Sequence, residues 1–106
     1  MNDTAHEFYD WIVSQEIENC SIEAVSEESV SLKTESATAA VNFYSFEDMP
    51  DIVELVVNEN GCEDPAFFLH FEVEDLDRAK ELFGEMRDVL VRRARAQRDA
   101  CCCAAP

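Results

Sequence analysis

The stretch AFFLHFEVEDLDRAKELF, residues 66–83, decides the fold. In its first half Phe67, Leu69, Phe71 and Val73 fall on one side and Phe68, His70, Glu72 and Glu74 on the other, the two-residue period of a strand with one face in a core. At Asp75 the period changes. Leu76, Ala79, Leu82 with Phe83, Met86, and Val89 with Leu90 recur every three or four residues up to Arg93, which predicts a helix capped by Asp75. Acids at its start and Arg92, Arg93, Arg95 and Arg98 near its end suit the helix dipole. The strand's apolar side is expected to pack on Leu82, Phe83 and Met86 of this helix.

Upstream, the same two periods recur. Asn2, Asp3 and Thr4 offer N-cap chemistry, and Ala5, Phe8 and Trp11 or Ile12 then repeat at helical spacing, predicting a helix over 4–15. From Cys20 the period is two: Cys20, Ile22 and Ala24 alternate with Ser21 and Glu23. After the turn-forming SEES, Val30 and Leu32 alternate with Ser31 and Lys33, which makes a hairpin. TAAVNFYSF, residues 38–46, places Ala39, Val41 and Phe43 opposite Ala40, Asn42 and Tyr44. Pro50 ends that run, and IVELVVN then carries Val53, Leu55 and Val57 on one face with Glu54 on the other. Gly61 and Pro65 mark the loop that leads back to the opening stretch.

The order predicts an α+β domain over 1–98, its N- and C-terminal helices packed on one face of a four- or five-stranded, mostly antiparallel sheet. Residues 99–106, with Cys101, Cys102 and Cys103, are expected to form a flexible tail. The sheet face turned away from the helices would then be polar, lined by Glu23, Lys33, Asn42, Tyr44, Glu54, His70 and Glu72.

Composition agrees with one domain and narrows the function. The chain has 106 residues, 47% of them apolar, with 2 Gly and 3 Pro, which suits a single globular core rather than a disordered acidic tail. Its 24 acids against 8 Lys and Arg give a formal charge of -16, which argues against nucleic acid or an anionic membrane as partner. Residues 1–77 hold 20 of the acids and only one base, Lys33. No apolar run reaches the length of a membrane span and no leader pattern opens the chain, so a cytoplasmic location is expected. The five cysteines show no zinc-ligand spacing. His6 and His70 stand near no GxSxG, no HExxH is present, and Gly61 and Gly84 cannot build a phosphate cradle. No cofactor is expected, and no catalytic set stands out.

Residues 52–83 resemble the middle of proteins in the vicinal oxygen chelate superfamily, which includes glyoxalases, extradiol dioxygenases and bleomycin-resistance proteins. The likeness rests on Glu54 and Leu55, then Phe71, Val73, Asp75, Leu76, Asp77, Ala79, Leu82 and Phe83, with Ala5, Phe8 and Tyr9 similar to that family's first helix. The family's βαβββ modules have a strand before the first helix and three after the second, which this chain lacks. The resemblance therefore implies either that a second chain completes a cleft or that the fold differs from the family's. Its metal-binding His position is occupied here by Phe68, leaving Glu54 as the matching ligand, with His70 two residues displaced as a weak second candidate. Two ligands make a poor site, and no bound metal is expected.

The resemblance to bleomycin-resistance proteins implies a non-enzymatic, homodimeric binding protein that holds a cationic small molecule or basic peptide in an acidic cleft. The residues expected to line it are Asn42, Tyr44, Glu54, Phe68, His70 and Glu72. The alternative is a small acidic dimeric chaperone resembling those of type III secretion in size, acidity and terminal helices around a strand meander.

Overall fold

The computed structural model describes the backbone of residues 2–99 and the side chains through residue 92. The element order is α1 (Asp3–Val13), β1 (Ser21–Ser26), β2 (Ser29–Lys33), β3 (Ala37–Tyr44), β4 (Ile52–Glu59), β5 (Phe67–Glu72) and α2 (Leu76–Asp99). The strands form one five-stranded sheet in the order β1-β2-β3-β4-β5, every neighbour antiparallel. Short connections force that meander, because an antiparallel neighbour is the partner a tight turn can deliver.

Both helices cover the same face. α1 packs chiefly over β1 and β2, α2 over β3 and β4, and the helices touch each other. The alternation read in the sequence is the alternation of burial: Ala37, Ala39, Val41 and Phe43 of β3 and Val53, Leu55 and Val57 of β4 are buried under the helices. They meet Ala5, Phe8 and Ile12 of α1 and Ala79, Leu82, Phe83, Met86 and Leu90 of α2. Val73 is buried, while Phe67, Leu69 and Phe71 point to the same side but stay half-buried because β5 is an edge. Phe8 holds the centre, with ring centroids 6.0 Å from Phe43, 6.3 Å from Phe71 and 6.4 Å from Phe83.

The helix starts follow capping chemistry. Asn2 Oδ1 accepts from the Ala5 amide at 2.8 Å, and the Asn2 amide donates to the buried carboxylate of Asp51. Asp75 Oδ1 accepts from the Asp77 amide at 3.0 Å, as expected of a cap. The Tyr9 hydroxyl donates to the Ser26 carbonyl at 2.6 Å and fixes α1 to the first hairpin. Gly61, at φ 86, turns the chain between β4 and β5 through a conformation that side chains disfavour.

Several boundaries differ from expectation, β3 ending at Tyr44 rather than residue 46 among them. α1 ends at Val13 rather than residue 15, since Ser14 already closes the last turn by donating to the Trp11 carbonyl. α2 runs to Asp99 instead of stopping near Arg93. Apolar period ends there, but the Ala-, Arg- and Gln-rich continuation has strong helix propensity without needing a core. The proposed tail thus loses its first residue to the helix; Cys101, Cys102 and Cys103 lie outside the described residues. Two acids at the sheet ends are also buried, Asp51 and Glu59. Glu59 continues the buried row of Val53, Leu55 and Val57.

Candidate functional site

Among the described residues nothing packs as a second layer on the sheet face away from the helices, and register decides which of its residues meet. Antiparallel pairing places Ser29 beside Asn42, Asn42 beside Glu54, and Glu54 beside His70. All four side chains project to this face, and they join in one line. Ser29 Oγ donates to Asn42 Oδ1 at 2.8 Å, Asn42 Nδ2 donates to Glu54 Oε1 at 3.0 Å, and His70 Nε2 lies 2.8 Å from Glu54 Oε2. Four strands are thereby tied by side chains above their main-chain ladder.

Glu54 is the hinge of that line. Its side chain is 19% exposed, against 51% for His70, so the carboxylate is seated low on the sheet with the imidazole over it at the solvent edge. The His70 hydrogen bond holds the Glu54 carboxyl below its ordinary value; partial burial opposes this, and the Asn42 amide and the charge of His70 add to the lowering. Glu54 is therefore ionised through the neutral range, with one oxygen committed to Asn42 and the other shared with His70.

The flanking rows are largely apolar and aromatic, with Ser31 and Glu72 at their ends. Two residues along the strands, roughly 7 Å away, lies the row Ser31, Ala40, Val56 and Phe68 on one side. On the other lies the row Tyr44, Ile52 and Glu72. Phe68 is 55% exposed and Tyr44 42%, and the Phe68 ring centroid sits 4.7 Å from that of His70. An ionised carboxylate thus lies between two exposed aromatic rings.

Asn42, Tyr44, Glu54, Phe68, His70 and Glu72 accordingly share one face of three adjacent strands. Glu23 and Lys33 lie on the same face further out, in rows with Ser31 and with Thr38 and Asn58. In a single chain these residues occupy an open surface rather than a walled cleft. The expectation of a polar face needs correction at its middle, where Ala40, Val56 and Ile52 are half-buried apolar residues. Ser29 is the residue that sequence reading missed; its parity with Ser31 and Lys33 carried the signal.

As possible metal ligands, Glu54 and His70 bond each other directly, and no group of three or more His, Cys, Asp or Glu side chains able to hold an ion occurs among the described residues. Phe68, at the position where the resembled family places its histidine, stands opposite Val56. A separate open depression lies beneath the α1–β1 connection, lined by Val13, Gln15, Glu16, Ile17, Glu18, Cys20 and Ile22. Burial there pushes the Cys20 thiol up, against the pull of a main-chain hydrogen bond from Lys33, so it is a poor nucleophile. No helix of the described residues is long and apolar enough to cross a membrane. No family model, curated protein or solved structure matches the chain.

Proposed function

We propose that this chain is a non-catalytic binding module whose open sheet face takes a cationic group, presented by a basic peptide segment or a small organic cation. One observation carries the reading: an ionised Glu54, set low in the face and flanked by the exposed rings of Phe68 and Tyr44. A carboxylate supplies an ion pair, aromatic faces supply cation–π attraction, and the half-buried Val56 and Ala40 beside them exclude some water. The flat, open shape favours an extended peptide over a small molecule, because a peptide reaches all three rows at once. The incoming cation competes with His70 for Glu54 Oε2, which makes the histidine a gate over the carboxylate.

The acid excess of the chain accelerates encounter with such a partner, and added salt screens that attraction. A second reading, a small acidic chaperone like those of type III secretion, draws support from the strand meander between terminal helices and from the exposed Phe46 and Met49 in the connection between β3 and β4. Calorimetric titration with matched peptides, basic and charge-neutralised, tests the first reading. The basic peptide binds more tightly, and Glu54→Gln weakens it about tenfold, the loss of one charge-assisted contact. Equal binding of both peptides, unchanged by Glu54→Gln, refutes it and favours the chaperone reading.

A further inference from the structure

The two edges of the sheet are built differently. At β1 the pairing is broken by a bulge between Ala24 and Ser26, and the strand is exposed apart from half-buried Ile22, with Val25 as its one large exposed apolar side chain. Bulges and polar residues are the usual means by which an edge avoids pairing. β5 has no such break, and its polar residues are His70 and Glu72, both on the open face. Phe67–Glu72 pairs with β4 without a register break, contains no Pro and no Lys, and leaves Phe67, Leu69 and Phe71 half-buried and Phe68 exposed.

The main-chain groups of this edge can be assigned from register. The Val73 amide donates to the Asp51 carbonyl at 2.8 Å, and Phe71 and Leu69 pair with Val53 and Leu55 at two-residue intervals. In an antiparallel pair, residues that bond the neighbour alternate with residues that bond away from it. The odd-numbered residues of β5 thus turn to β4, and Phe68, His70 and Glu72 turn their amide and carbonyl groups outward.

We infer that the β5 edge pairs antiparallel with β5 of a second copy, about a two-fold axis beside Leu69, to form a continuous ten-stranded sheet. This inference stands apart from the proposed binding of cations. A copy of the chain fits because the strand is complementary to itself: on the core side Phe67 meets Phe71 of the second copy and Leu69 meets its equivalent. On the open side Phe68 meets His70. The outward amides and carbonyls of Phe68 and His70 exchange four hydrogen bonds across the axis.

Charge also selects this edge. Residues 66–71 contain no acid in a chain of net charge -16, so two copies can meet there without placing carboxylates opposite each other, and no acid opposes an acid within the paired stretch. Repulsion between the remaining acidic surfaces must still be overcome, and salt relieves it. Self-association therefore strengthens with added salt, whereas binding of a cation to this surface weakens. Pairing at β5 would bring the Glu54–His70 lines of two chains side by side on one continuous face.

The test uses the whole chain with no ligand, so its outcome is independent of the cation reading. Light scattering across a concentration series should give twice the 12.0 kDa chain mass, with tighter association at higher salt. Amide exchange at Phe68 and His70 should slow at least about tenfold between dilute and concentrated samples. Phe68→Pro removes an outward donor at a position where an edge strand tolerates proline, and should leave a folded single-chain species by circular dichroism. Ala24→Pro, the same change at the other edge, should leave the dimer intact. A single-chain mass for the parent at high concentration and salt overturns the inference. So does a folded Phe68→Pro variant that still dimerises, or an Ala24→Pro variant that does not. If Phe68→Pro fails to fold, the parent decides: concentration-independent exchange at Phe68 and His70 overturns the proposal.

Discussion

Removing the carboxylate of Glu54 should cost stability as well as binding, and the amount follows from its surroundings. Glu54→Gln keeps the shape and the acceptor for Asn42 but replaces the ionised oxygen that faces His70. A charge-assisted hydrogen bond contributes about 1.5–3 kcal/mol when sheltered, and an exposed ion pair about 0.2–1 kcal/mol. With Glu54 mostly covered and His70 half exposed, the pair belongs between these limits, near 1 kcal/mol. Urea unfolding of the parent, Glu54→Gln, His70→Ala and the double variant isolates the shared part, expected at about 0.5–1.5 kcal/mol. Because the Glu54 carboxyl titrates lower in the folded chain than in the unfolded one, this contribution is full above its ordinary value of 4.5. It is lost as the pH falls through the lowered folded-state value. A coupling under about 0.3 kcal/mol near neutral pH, or one that persists undiminished once the pH has fallen below the lowered Glu54 value, would refute the assignment of Glu54 as the charged centre of the line.

Phe8→Ala, at the centre of the aromatic core and fully buried, should cost about 3–5 kcal/mol in urea unfolding; a loss under 1.5 kcal/mol would mean that the helices do not close on that ring. Asn2→Ala removes the side-chain cap of α1 and should cost about 1 kcal/mol by thermal or urea unfolding, with Asn2→Asp close to the parent. Gly61→Ala forces a side chain into φ 86 and should cost about 1 kcal/mol, although no neighbour lies within 4 Å of the added carbon; an unchanged midpoint would show that the turn relaxes freely.

The division of each strand into a core side and an open side was legible because the apolar alternation in residues 67–73, 39–43 and 53–57 is nearly unbroken. Alternation gives the face of a residue but not its neighbour. That Glu54 lies beside His70 and Phe68 beside Val56 depends on loop lengths and turn geometry, and a shift of two residues would have preserved every face while separating the pair. Burial of Asp51 and Glu59 was hidden for a different reason: acids are read as surface residues, and only the packed chain shows Asp51 serving the start of α1. The extension of α2 beyond Arg93 was missed because apolar period, not intrinsic propensity, set the expected end. Most polar residues of the open face were identified, Ser29, Thr38 and Asn58 excepted, but its apolar middle was passed over because Ala40, Val56 and Ile52 are unremarkable within strands.

The most direct test of the open face as the functional surface is side-chain and amide chemical-shift mapping during titration with the basic peptide. The account predicts saturable shifts centred on Glu54, His70, Phe68 and Tyr44, displacement of the His70 resonances as Glu54 changes partner, and loss of these shifts in Glu54→Gln. Shifts confined to the helix layer or to the depression under the α1–β1 connection, with the Glu54 line unmoved, would contradict it.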